Sequence, residues 1–419
     1  MPLRPALFRL SLALTLLLGA AAGCQRAAPG EQAAALDATL AGLQAEFPDD
    51  PTATQADGLE QPARRAEKAY AALLALRESH PQDPAVAEAC AQAEPRYHEL
   101  RRRWRLARER RALADLLGGL KVRGYRAARN SLVPRLLDSL ASAAHQAAVC
   151  EPGTLPPLAR ETARLAARLV EATPAMGDRT AAANLPTDWR QVAGAIEHWR
   201  EQEPPEFSLG LGLAFAVLGK TGFALVELER VDPARLDRPE HAALLPLARA
   251  IVLSRAGFPE LATREATRLS GDTEQGRQLL AAIHALLAYG YAEERNWKQM
   301  DRELALAVRA WPNNPLVVFL TGERLLADGR REAALETFEQ LAGASEAAWL
   351  APLLARRIRE VRDSTGEVPP LALDNGFMVR CVLQSLLAQV ERSEPDRPLA
   401  RLLAAAQQLP ALLGAELEP

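Results

Sequence analysis

The sequence lacks the marks by which most enzymes announce themselves. It contains no HExxH, no GxSxG and no glycine-rich phosphate loop. Its six histidines, His80, His98, His145, His198, His241 and His284, never stand at i, i+4 on one helix face. Zinc sites and thiol redox centres need closely spaced cysteines, and the four cysteines offer no CxxC. No catalytic residue, metal or cofactor is therefore expected. Aromatic residues make up 5% of the chain and β-branched residues are few, which removes the alternating pattern that a sheet protein requires. The balance of 50 basic and 53 acidic residues gives no global reason to expect nucleic acid.

What is abundant is Ala, Leu, Glu and Arg, a composition that favours helix throughout and an all-α fold. Between Phe207 and Ala342, amphipathic helices alternate with short turns, and equivalent turns recur at Gly219, Gly257, Arg295 and Gly329. Glycine suits such a place because a helix that ends sharply often turns through φ > 0. A second pattern, aromatic-Pro-x-(Asp/Asn)-Pro, occurs as Phe47–Pro51, His80–Pro84 and Trp311–Pro315. There one proline ends a helix, Asp or Asn caps the next, and the second proline occupies its first turn. Leu59, Ala63, Ala66, Tyr70 and Leu73, then Val86, Cys90, Ala93, Tyr97, Leu100, Trp104 and Ala107, form heptad stripes. They predict a long helical hairpin turning at His80–Asp83. Val317–Leu320 and Phe377–Leu383 have strand-like composition, but their contexts favour helix.

Four units of the array resemble tetratricopeptide (TPR) repeats. Pro315–Ala342 carries Gly322, Ala334, Phe338 and Leu341. The unit before it carries Ala288, Tyr291, Trp297, Leu304, Ala307 and Pro312, with Met300 where a small residue is usual. Earlier units carry Gly212, Phe215, Ala224 and Leu228, then Ala250, Leu253, Ala262, Ala266 and Leu269. The resemblance implies a right-handed α-solenoid over 206–345. A helical N-terminal region (36–150) and a connector (151–205) would precede it, and C-terminal capping helices (346–419) would follow. It also implies a groove for a protein or peptide partner, lined by Leu209, Leu213, Val217, Leu247, Ile251, Arg255, Tyr289, Glu293, Leu316, Phe319, Glu323 and Leu326. An apolar strip there calls for a ligand or a covering element, and the helices of Ala347–Val390 are candidates for the cover.

The N-terminus points to export. Met1–Arg9 holds Arg4 and Arg9 and no acid, Leu10–Leu18 is apolar except at Ser11 and Thr15, and Gly19–Gly23 is small. The uncharged stretch spans about 14 residues, short of the roughly 20 that cross a bilayer. Ala21-Ala22-Gly23-Cys24 resembles the lipobox of bacterial lipoproteins, with Ala21 where leucine is usual. That resemblance implies removal of 1–23, acylation (palmitate) of Cys24 and a lipid-anchored protein of the cell envelope. Gln25, where Asp would retain the protein in the inner membrane, implies the outer membrane, facing the periplasm. Residues 24–35 read as a flexible tether. Cleavage after Ala22, leaving a soluble periplasmic protein, is the alternative. Of the remaining cysteines, Cys90 and Cys150 are candidates for a bridge, and burial of all three as thiols is the other reading.

One charge cluster stands out: Arg101, Arg102, Arg103, Arg105, Arg108, Arg110 and Arg111. Either this basic helix meets anionic lipid or an acidic partner, or its guanidinium groups form a solvated helix face. The expectation is thus a membrane-tethered, non-catalytic interaction scaffold with a protein partner and no nucleic acid. A peptidoglycan-acting envelope enzyme or its regulator, built on a helical solenoid, is the rival.

Overall fold

The computed structural model describes residues 27–417 apart from 152, 174–187, 237, 270–273, 294, 367, 370, 372–378 and 388–397. The export segment and Cys24 lie outside the described residues. No strand occurs among the described residues, and Val317–Leu320 is helical, so the chain is all-α. Two compact units divide between Ala112 and Leu113.

The first unit holds α1 (Pro29–Gln44), α2 (Ala56–Ser79) and most of α3 (Pro84–Gly118). Leu40, Leu43, Leu59, Leu73, Val86 and Leu100 form its core, each contributing about 1.5–3 kcal/mol by burial. α2 and α3 are the predicted hairpin. Asp83 caps α3, its Oδ1 accepting from Ala85 N–H at 2.9 Å, and Tyr70 stacks on Tyr97 with centroids 4.3 Å apart. α1 runs parallel to α3. Gly30 sits against Ala85, Asp37 meets Arg96 at 2.5 Å, and the Phe47 carbonyl accepts from Arg103 at 3.1 Å. The tether expected over 24–35 is corrected here. Pro29 opens α1 at its first turn, and the stripe Ala33, Leu36, Leu40, Leu43 docks the helix, so 29–35 are helical. The Phe47–Pro51 motif also departs from its relatives. Instead of capping a helix, Asp49 and Asp50 pair with Arg103 (2.8 Å) and Arg110 (2.7 Å).

The second unit begins with α4 (Leu120–Val149), α5 (Pro157–Ala172) and α6 (Trp189–Glu201). The region 36–150, read from sequence as one piece, is therefore divided. α4 buries Leu132, Val133, Leu136, Leu137 and Leu140 and packs against α5 and α6, which assigns it to the second unit. Four hairpins follow: α7 (Pro205–Val217) with α8 (Thr221–Glu229), α9 (Pro239–Arg255) with α10 (Pro259–Ala266), α11 (Glu274–Glu293) with α12 (Trp297–Ala310), and α13 (Pro315–Ala327) with α14 (Arg331–Gly343). Then come α15 (Ala351–Asp363), α16 (379–387) and α17 (Pro398–Leu417). Each first helix packs on the next, α7 on α9, α9 on α11, α11 on α13, and each second helix touches the first helix that follows it.

The four recurring turns share one geometry. Gly219, Gly257, Arg295 and Gly329 have φ of 71°, 83°, 55° and 73°. In each, the following residue's N–H reaches six-to-one back to a carbonyl of the first helix: Lys220 to Phe215, Phe258 to Leu253, Asn296 to Tyr291 and Arg330 to Leu325, all at 2.9 Å. This is the Schellman arrangement, and it satisfies carbonyls that the helix end would orphan. Asn314 caps α13 with its Oδ1 on Leu316 N–H at 2.9 Å, as the Trp311–Pro315 motif predicts.

Candidate functional site

The layer of first helices is where a partner groove was expected, and most of it is covered. Leu399, Leu402, Leu403, Leu409 and Leu413 recur along α17 at helical spacing with Ala405 and Ala406 between them, and all are buried. α17 packs on α5 and α7 and also reaches α4 and α9. Gly210 faces it: a β-carbon there would be 3.7 Å from Cδ1 of Leu402 and 3.9 Å from Cδ1 of Leu409. Gly212, on another side of α7, faces Leu228 of α8. The Gly210-Leu211-Gly212 sequence thus lets α7 be packed on two sides, and Glu206–Val217 is buried throughout. α16 joins the cover, with Ser385 Oγ donating to Asn314 Oδ1 (3.4 Å) and Gln384 bonded to Gln407 of α17 (2.7 Å). Sequence reading had looked to Ala347–Val390 for a cover; the largest covering piece lies beyond it, at 398–417.

Of the expected groove residues, Leu209, Leu213, Val217, Leu247, Ile251, Tyr289, Leu316 and Phe319 are buried, and Leu326 is half-buried. The polar ones are engaged within the chain. Arg255 lies over the Tyr289 ring at 5.5 Å and bonds Glu293 at 3.1 Å. Glu323 receives both arms of Arg357, at 2.7 and 2.8 Å, and Arg357 also bonds Glu360 at 2.9 Å and the Pro369 carbonyl at 3.0 Å.

A polar cluster that sequence reading missed sits between α4 and α8. Glu227 is fully buried, and its Oε1 accepts from Tyr125 Oη and from Arg129 Nε at 2.6 Å. Arg129 turns its other nitrogens to Glu203. Burial first, and then the charge and hydrogen bond of Glu227, push the Tyr125 phenol above its ordinary range. Phe215 and Phe223 close round the ring, with centroids 6.5 and 5.4 Å away. A cleft of about 410 Å³ adjoins the cluster, lined in part by Arg129, Asp138, Arg200 and Glu203. Both of its carboxylates are engaged by arginines, Glu203 by Arg129 and Asp138 by Arg200. The signal available in the sequence was a charge, Glu227, at a core position between Leu225 and Leu228.

The arginine-rich stretch of α3 is partly neutralised. Arg102 and Arg103 bond Glu99, each with a nitrogen at 2.8 Å, and Arg111 pairs with Asp57 at 2.5 Å. Their hydrogen bonds, Arg102 foremost, overcome the opposing effect of burial and hold the Glu99 carboxyl at about 2. Arg101 and Arg108 are exposed, and Arg108 lies over the Trp104 ring at 4.9 Å. Arg105 is half-buried, four residues before Glu109.

His241 pairs with Glu206 at 3.5 Å and His284 with Glu303 at 2.7 Å, all four inside the second unit's core or close to it. Among the described residues no three His, Cys, Asp or Glu side chains cluster closely enough to hold a metal ion. No described helix is long and apolar enough to cross a membrane. The expected burial of all three thiols is corrected at one position: Cys90 and Cys381 are buried, Cys150 at the end of α4 is exposed, and none is in a disulfide. No protein-family profile, curated protein or solved structure matches the chain.

Proposed function

We propose that this chain is a lipid-anchored, non-catalytic interaction scaffold of a bacterial cell envelope, built on a right-handed solenoid of TPR-like hairpins. The observation that carries this reading is the recurrence of one packing unit. Four hairpins share the left-handed turn, and in each a small first-helix residue is followed sixteen positions on by a buried second-helix residue. Those pairs are Gly212 with Leu228, Ala250 with Ala266, Ala288 with Leu304, and Gly322 with Phe338. Contact at the first and last pairs is direct. A layer of stacked first helices accepts an amphipathic helix, and here the helix it accepts is the chain's own α17. The groove is thereby closed in the resting protein. What stays open to a partner is the outer helix layer. There Trp297 and Val308 of α12, eleven residues apart and so on one helix face, are 39% and 40% exposed.

The anchor belongs to Cys24, on the lipobox resemblance. Two or three acyl chains hold a protein stably where one does not, each buried methylene contributing about 0.8 kcal/mol. Palmitate labelling that stops in Cys24→Ser, with release of the protein from membranes, is the expected result; persistent labelling refutes the anchor. For the scaffold, cross-linking and pull-down from detergent-solubilised envelopes should recover a protein that Trp297→Ala loses. Recovery of no protein by the wild type refutes the scaffold.

A further inference from the structure

We propose that the end of the first unit formed by the α2–α3 turn, Ser79–Ala85, is the surface this chain turns to the lipid bilayer, with the arginine-rich end of α3 held away from it. The inference rests on the acylated Cys24 of the preceding section and adds to it an orientation that only the packing supplies.

The chain enters the described structure at Ala27 and the first helix at Pro29. Pro29 is five backbone steps from Cys24, a reach of at most about 18 Å at about 3.6 Å per step. Where that reach begins is fixed by α1 packing. Gly30 is in contact with Ala85, so α1 starts level with the start of α3, at the turn that joins α2 to α3. The two helices then run in parallel, through Asp37 with Arg96 and the Phe47 carbonyl with Arg103. At a rise of about 1.5 Å per residue, Arg101 lies roughly 24 Å along α3 from Ala85, and Arg111 roughly 39 Å. The tether is shorter than the distance to the nearest of these arginines.

The chemistry at the two ends agrees with this placement. Ser79, Pro81 and Gln82 are exposed and uncharged, while Asp83 spends its carboxylate capping Ala85 and Val86. Such an end stands against headgroups without a strong field. At the far end, Asp49, Asp50, Asp57 and Glu99 occupy Arg103, Arg110, Arg111 and Arg102. From Ala27 to Ala112 the unit holds twelve basic and fourteen acidic side chains, so no net positive charge draws its flank flat onto an anionic leaflet.

The test uses the full, lipidated chain in phosphatidylcholine–phosphatidylglycerol vesicles carrying a nitroxide quencher on the headgroup. In a Cys150→Ser background, which removes the exposed thiol, single cysteines are placed by Gln82→Cys or Arg108→Cys and given a fluorophore. Loss of fluorescence at position 82 with little loss at 108 is expected. Equal quenching at both, or greater quenching at 108, overturns the orientation. Mass measurement of the Cys24 peptide from the same samples reads the anchor separately. Without acyl mass the anchor itself has failed; with acyl mass and the wrong quenching order, only the orientation has.

Discussion

Gly322 and Phe338 interlock: a β-carbon added at 322 would stand 2.8 Å from Cζ of the ring and nearer still to Cε1. In a solvent-facing helix, Gly→Ala is stabilising by about 1 kcal/mol. Here Gly322→Ala should instead destabilise by about 1–3 kcal/mol, because Phe338 is fully buried and has nowhere to retreat. Urea unfolding of the single variant and of Gly322→Ala with Phe338→Leu checks this. The smaller partner should restore part of the loss.

Arg295 occupies a left-handed position that glycine holds in the other three hairpins. A residue with a β-carbon is strained there by about 1–2 kcal/mol. Arg295→Gly should therefore raise stability by about 0.5–1 kcal/mol, and Gly257→Ala should lower it by about as much. Thermal midpoints moving in the same direction for both would show that φ does not decide these turns.

Glu323 and Arg357 are a buried pair, with Arg357 2% exposed. Arg357→Met leaves the carboxylate stranded and should cost about 3–5 kcal/mol. Adding Glu323→Leu removes the stranded charge and should recover most of that. A double variant as unstable as the single one would place the energy elsewhere.

Glu99 supplies a pH signature. Its carboxyl is held at about 2 against the ordinary 4.5 by Arg102, with Arg103 adding to it. A depressed acid contributes stability that is present above its unfolded value and lost as pH falls through the folded one. The group is partly exposed, so solvent screening leaves about 1 kcal/mol of the effect. Glu99→Gln should lower stability by that amount at pH 7, and the difference should fade between pH 4.5 and about 2. Chemical denaturation at stepped pH reads it directly.

Leu409 of α17 meets the face of α7 at Gly210. Leu409→Asp buries an unpaired charge and should loosen α17, uncovering the first-helix layer, with a strong rise in binding of a hydrophobic dye. Dye binding unchanged from the wild type would mean that α17 is not what keeps that layer dry.

Much of this was legible in the chain itself. Local chemistry determined the four turns, since a left-handed φ selects glycine wherever a helix must stop within one residue, and even Arg295 was readable from its spacing. It determined the Asp83 and Asn314 caps and the α2–α3 hairpin, whose stripes need only their own periodicity. Three things were decided by tertiary structure alone. Residues 29–35 look like a tether because Pro29-Gly30 and the small and polar residues after them show no apolar face of their own, and docking of Ala33 and Leu36 fixes them as helix. Glu227 becomes part of a network only because Tyr125 and Arg129, about a hundred residues away, are folded against it. The face of α7 is covered because α17 returns across nearly two hundred residues to it, a contact set by complementary surfaces rather than by any local pattern. Sequence named an apolar strip that calls for a ligand or a covering element; folding brought α17 onto its α7 part.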